Sequence, residues 1–248
     1  MKLLLTTFTA CTLLFSPAIA ALSGDKCPED TLSCSANIKE ADTCCYEVNG
    51  IFALVDFWIK GVGPEDKFSL NEPYPHTCDN TLTGADGCDP SRKVDNVESI
   101  ISTVNKTLYK DMRTHWSSDG DNEPLWLHIW NVHAICMSTN RPECFSNFSR
   151  YQDMVAYFSN ALALYKRYNF YAALAKHDIV PDNSKAVDPA KFKNEIKAEL
   201  GIDAAIRCLH NELVEIRVCF NMLGRDRYVP IDACSDDTCL APLSYPLK

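Results

Sequence analysis

Twelve cysteines follow a short apolar leader: Cys27, Cys34, Cys44, Cys45, Cys78, Cys88, Cys136, Cys144, Cys208, Cys219, Cys234 and Cys239. This even set constrains the fold more than any other feature. The leader opens with Lys2, continues as LLLTTFTACTLLF and reaches Ala18-Ile19-Ala20. A basic start, a brief apolar run and small residues before a cleavage point describe a secretory signal peptide over residues 1–20. The run is too short, and its flanks are wrong, for a spanning helix. Cys11 departs with the leader. Exported compartments oxidise thiols, so the remaining twelve predict a disulfide framework in an extracellular protein. No pair has CxxC spacing, so zinc is not expected. Neither a metal nor a cofactor follows from the spacing. The chain from Ala21 to Lys248 has the length of one domain.

The formal charge is −9, and loss of Lys2 with the leader makes it one unit more negative. Proteins that capture nucleic acid through its phosphates place many Lys and Arg against them. This balance excludes broad electrostatic capture of a polyanion and leaves room only for a local cleft. Asn105-Lys106-Thr107 and Asn147-Phe148-Ser149 match the N-glycosylation acceptor pattern, at Asn105 and Asn147.

Ile51–Ile59 (IFALVDFWI) is a short continuous apolar run and predicts a buried strand. Residues 27–49 read as cysteine-stapled loop, and residues 60–90, rich in Gly, Pro, Asn and Asp, as long loops. Val94, Val97, Ile101, Val104, Leu108 and Met112 recur at helical spacing and predict one amphipathic helix over residues 92–116. Residues 126–136 predict a second helix, and Tyr151, Val155, Phe158, Leu162 and Tyr165 mark a third. Asp188-Pro189 reads as a helix start and Gly201 as its stop. Residues 212–222 and 227–233 predict a hairpin around Gly224-Arg225-Asp226-Arg227. Separate blocks of helices and antiparallel strands make an α+β domain. Trp58, Trp116, Trp126 and Trp130 are expected in its core.

Two segments carry a specific resemblance. One is Phe68-Ser69-Leu70-Asn71-Glu72-Pro73-Tyr74-Pro75, followed by Cys78. The other is Trp126-Leu127-His128-Ile129-Trp130-Asn131-Val132-His133-Ala134-Ile135-Cys136. Together with Cys44-Cys45, Cys88-Asp89-Pro90-Ser91-Arg92 and Gly224-Arg225-Asp226, they resemble the two active-site segments and the framework of the ribonuclease T2 family, most of all its fungal members. The resemblance covers roughly Cys27 to the C-terminus. It implies a ribonuclease T2-like fold, a central antiparallel sheet with flanking helices, rich in disulfides. It also implies the pairings Cys27–Cys45, Cys34–Cys78, Cys44–Cys144, Cys88–Cys136 and Cys208–Cys239. Cys219 and Cys234 are left on opposite arms of the hairpin, where a further bridge is expected.

Enzymes of this family cleave RNA by attack of the ribose 2′-oxygen on the adjacent phosphorus. A base takes the 2′ proton, an acid protonates the leaving 5′-oxygen and cations balance the phosphate, which calls for groups that titrate near the working pH. By resemblance, the first segment's catalytic His is Asn71, whose amide does not exchange a proton near neutrality. The second segment's catalytic Glu is Ile129 and its Lys is Val132. His133 keeps the position of a catalytic His, and His128 that of the family's other His. The base-recognition positions are Tyr74, in place of Trp, and His76, in place of Asp. Glu72 and Pro73 replace Gly and Leu.

His128 and His133 are five residues apart on a helix and therefore are not expected to face each other. The pattern implies a catalytically defective ribonuclease-fold protein that acts by binding. Its ligand would be single-stranded RNA, a nucleotide or a host protein, the last as a fungal effector by analogy. The alternatives are a weak endoribonuclease that forms 2′,3′-cyclic phosphates through His133, and a storage protein with no specific ligand. A monomer with no DNA or membrane partner is expected.

Overall fold

The computed structural model describes residues 32–35, 42–232, 234 and 236–248. The leader over residues 1–20 lies outside the described residues. So does the pairing of Cys27 with Cys45, because Cys27 does.

The apolar run at residue 51 forms β1 (Ile51–Phe57), which is buried along nearly its whole length. It lies antiparallel to the long strand β6 (Glu212–Leu223), in register from Ile51 opposite Asn221 to Phe57 opposite Glu215. Short strands β2 (Ser69–Leu70) and β3 (Tyr74–His76) pair with the other side of β1. β5 (Ala205–Leu209) and β7 (Arg227–Ile231) pair antiparallel with β6. β8 (Leu243–Ser244) meets β6 in parallel and β4 (Ala186–Val187) antiparallel. The sheet is thus antiparallel except for that one pairing. β6 and β7 form the expected hairpin, turned through Gly224 at φ +69°.

Side chains alternate across a strand, so the sheet has two different faces. Phe52, Leu54, Ile216, Val218, Phe220 and Met222 point into the large core with the helices. Ile51, Ala53, Val55, Tyr74 and Cys219 form a smaller cluster on the opposite face. Trp58, Trp116, Trp126 and Trp130 are all buried in the large core.

The helix expected over residues 92–116 is two helices, α1 (Val97–Val104) and α2 (Lys106–His115). Asn105 explains the break. Its backbone leaves the helical region, its N–H still donates to the Ile101 carbonyl, and its Oδ1 accepts from the Leu108 N–H. One residue therefore ends one helix and caps the next, as Asn side chains do well. Apolar periodicity continued across the break and concealed it.

α3 (Glu123–His128) starts three residues before the expected position, behind Pro124 in its first turn. The Glu123 carboxylate accepts from the N–H groups of Val97 and Glu98 and so caps α1. α4 (Gln152–Arg167) supplies the third expected helix and is followed by α5 (Phe170–Ala175). α6 (Pro189–Leu200) has Asp188 as its cap and stops at Gly201, φ +69°.

Disulfides join Cys34 to Cys78, Cys44 to Cys144, Cys88 to Cys136, Cys208 to Cys239 and Cys219 to Cys234. Glu47 adds a buried polar staple. Its carboxylate accepts from the backbone N–H and hydroxyl of both Ser138 and Thr139, and so fixes the chain after Cys136. Both acceptor-pattern asparagines reach the surface: Asn147 is exposed and Asn105 half-exposed.

Candidate active site

The first segment is shaped by a β-bulge. Leu70 pairs with Asp56 and Tyr74 with Ala53, so four steps along one strand match three along the other. The N–H groups of Asn71 and Glu72 both donate to the Val55 carbonyl, at 2.9 and 3.3 Å. Such a bulge bends the strand and re-aims a side chain. Three ring donors hold the bulged chain from the core. Trp116 Nε1 donates to the Asn71 carbonyl at 2.8 Å, the Tyr165 hydroxyl to that of Phe68 at 2.7 Å, and the Tyr157 hydroxyl to that of Pro73.

The second segment continues α3 as a π-helical turn, Ile129–His133, in which the Ala134 N–H donates to the carbonyls of Ile129 and Trp130. Single π turns inside helices widen the coil and recur at functional sites. This one is clamped from outside. Asn131 accepts from the Val94 N–H and donates to the Val94 carbonyl. Trp130 Nε1 donates to the Arg92 carbonyl, and the Arg92 guanidinium lies over the Trp130 ring and pairs with Asp153 at 3.0 Å. Gly87 presses against the turn so closely that a Cβ there would stand 2.3 Å from the Asn131 carbonyl oxygen.

The π turn corrects the expectation that His128 and His133 do not face each other. A regular α-helix separates residues five apart, whereas the wider turn brings their rings to 5.1 Å, nearly perpendicular. Glu72, delivered by the bulge, has Oε1 4.0 Å from His128 Nε2. One ligand-type atom from each of Glu72, His128 and His133 lies within 4.8 Å of the other two. Behind them the Tyr74 ring packs 5.1 Å from His133 and 4.8 Å from His76. Asn80 Oδ1 is 2.7 Å from His76 Nδ1. Tyr74 and His76 are only 5% and 6% exposed, so neither presents an open ring face.

Burial sets the proton affinities. It lowers His133 to about 4, with smaller contributions from the neighbouring His128 and His76, so His133 is neutral near pH 7. It lowers His76 as well, opposed by the bond to Asn80. It raises the Glu72 carboxyl, opposed by His128, and raises the Tyr74 hydroxyl.

Asn71 and Val132 are half-buried beside this group, and Ile129 is 0% exposed, its alkyl chain in the core cluster. Arg217, the cation that acts on Tyr74, is engaged by Glu215 at 2.8 Å and Asp236 at 3.0 Å. The site therefore brings together two imidazoles and a carboxylate, with no proton carrier at Asn71, Ile129 or Val132.

Sequence reasoning placed Glu72 only as a replacement for Gly and gave it no role. The available signal was an acidic residue in an otherwise uncharged run between two strand segments; the bulge that aims it has no sequence signature.

A family model described as the Ribonuclease T2 family matches residues 30–228. The chain belongs to the ribonuclease T2 family. Among relatives, it is 34% identical to Ribonuclease Rh of Rhizopus niveus over 93% of this chain and 98% of that one. Ribonuclease T2-family structures share its fold. The 1.7 Å crystal structure of Actibind, described as a T2 ribonuclease, superposes with a TM-score of 0.81 at 26% identity, covering 90% of this chain and 98% of its own. RNase NT, solved in complex with 5′-AMP, superposes with a TM-score of 0.59 at 20% identity, covering 82% and 99%.

Proposed function

We propose that this chain is a secreted, cleavage-impaired member of the ribonuclease T2 family, a single domain from Ala21 to Lys248, that acts by binding single-stranded RNA or a nucleotide. One observation carries the reading. Where the family needs a proton-exchanging His, a Glu and a Lys, this cleft offers an amide, a fully buried alkyl chain and a second alkyl chain. Glu72 instead sets a carboxylate against the two remaining histidines, where it opposes an incoming phosphate. Loss of one proton carrier commonly costs about 10²–10⁴-fold in rate. The losses act on one chemical step and do not simply multiply.

Support for binding comes from the retained framework around the cleft and from the 5′-AMP held by RNase NT, which shares the fold. Because Tyr74 and His76 are covered, a nucleobase enters by displacing His133 or His76 from the Tyr74 ring. Export through the leader and glycans at Asn105 and Asn147 belong to the same reading. Action on a host as an effector rests on analogy alone and is not proposed.

Titration of the purified protein with 5′-AMP and with a short single-stranded oligoribonucleotide tests binding. Saturable binding, with histidine resonances of the cleft perturbed, is the expected result; absence of binding to both ligands removes the proposal. Restoring Asn71→His, Ile129→Glu and Val132→Lys together, with Glu72→Gly, is expected to raise cleavage by at least about 10²-fold.

A second reading is favoured by one feature of the cleft. A neutral imidazole at His133 beside the His128–Glu72 pair is a base next to a potential acid. That arrangement suits weak endoribonuclease activity, with His133 taking the 2′ proton and His128 protonating the 5′-oxygen. Residual cleavage abolished by His133→Ala would establish it.

A further inference from the structure

We propose that Glu72, His128 and His133 form a binding site for a divalent transition-metal ion of the zinc class. The inference is independent of what the cleft does with RNA. Their ligand-type atoms already lie within 4.8 Å of one another, and the Glu72–His128 separation is 4.0 Å. Zinc holds imidazole nitrogen at about 2.0–2.1 Å and carboxylate oxygen at about 2.0–2.2 Å, so its tetrahedral ligands stand roughly 3.3 Å apart. Closing the remaining distance takes a small rotation of two side chains that are free to move: His128 is 49% and Glu72 35% exposed.

Each ligand is aimed by a separate backbone device. The β-bulge opposite Val55 carries Glu72, and the π turn brings His128 and His133 to one side of their helix. The third ligand, His133, rests its ring against Tyr74 at 5.1 Å. His133 Nδ1 is buried with no hydrogen-bond partner. The exposed His128 edge provides the entry path.

Two imidazoles and one carboxylate match zinc and its neighbours better than magnesium or calcium, which prefer all-oxygen shells. Three protein ligands leave a fourth position open, the arrangement of non-structural zinc sites. An ion there would also supply positive charge at the wall where Val132 supplies none, and would offset Glu72.

The test is calorimetric titration of the chelator-stripped full chain with zinc chloride at neutral pH, paired with visible spectroscopy of the cobalt(II) form. One ion per chain and a tetrahedral cobalt spectrum are expected. Glu72→Gln and His128→Ala should each weaken binding by at least about 10–100-fold, the cost of losing even an outer-shell partner. Both positions are solvent-accessible, so thermal melts of the metal-free variants should match wild type. His177→Ala removes a histidine whose two ring nitrogens already face Glu195 and Glu199 at 3.1 Å; it should leave binding unchanged. Absence of stoichiometric binding, or binding equally strong in both cleft variants, overturns the proposal.

Discussion

At the scale of single residues, the cleft and the buried strand above it show what this fold tolerates. Asp56 on β1 is 1% exposed, and neither carboxylate oxygen has a hydrogen-bond partner. Burial pushes its pKa well above the ordinary value, opposed by the Lys248 ammonium. The folded state therefore binds the Asp56 proton more tightly than the unfolded chain. Its contribution to stability is full below the unfolded value of 3.8 and is lost as pH rises toward the folded value. Within that window the loss is about 1.4 kcal/mol per pH unit. Asp56→Asn should therefore gain stability over wild type as pH rises above 4, with the two converging below it; denaturant melts across pH check this. A parallel pH dependence in wild type and variant would contradict it. His133 acts in the opposite sense, since its folded value is lowered: its contribution is present above 6.5 and is lost as pH falls through about 4.

At the scale of elements, the π turn and the bulge do most to define the site. Gly87, at φ +78°, sits where a Cβ would meet the Asn131 carbonyl oxygen at 2.3 Å. That oxygen belongs to the backbone of a clamped turn, so the clash has no cheap relief. Gly87→Ala should cost about 1–3 kcal/mol and disturb the His128–His133 geometry. A thermal melt and histidine chemical shifts report both, and an unchanged melt would show that the loop simply moves away. Such features also mark how far the sequence was legible. The strand at Ile51, the helix between Asp188 and Gly201 and the hairpin through Gly224 all follow from apolar runs, caps and turn residues. The break at Asn105 did not, because the same apolar stripe continues through both helices. The pairing of His128 with His133 was hidden by the assumption of α-helical spacing, and Glu72 by a register shift that depends on what β1 offers across the sheet. Local chemistry was readable; departures of the backbone from regular geometry were not, and two of them, the bulge and the π turn, build the candidate site.

At the scale of the whole molecule, the fold is held by parts that lie outside the candidate site. Cys34–Cys78 closes the loop beyond the bulged strand, and Cys88–Cys136 ties the Gly87 loop to the end of the π turn. Arg92, Asp153 and Glu47 fix the same region through buried polar bonds. These links hold the segments that carry Asn71, Ile129 and Val132, the three positions on which the proposed loss of cleavage rests. A net charge of −9 gives no general pull on polyanions. The measurement that bears most directly on this account is the initial rate of cleavage of a fluorogenic single-stranded oligoribonucleotide, across acidic to neutral pH, by rigorously purified protein beside Ribonuclease Rh. A rate lower by at least about 10²-fold at every pH is the expected result; turnover matching that relative would contradict the claim that these side chains have lost the reaction.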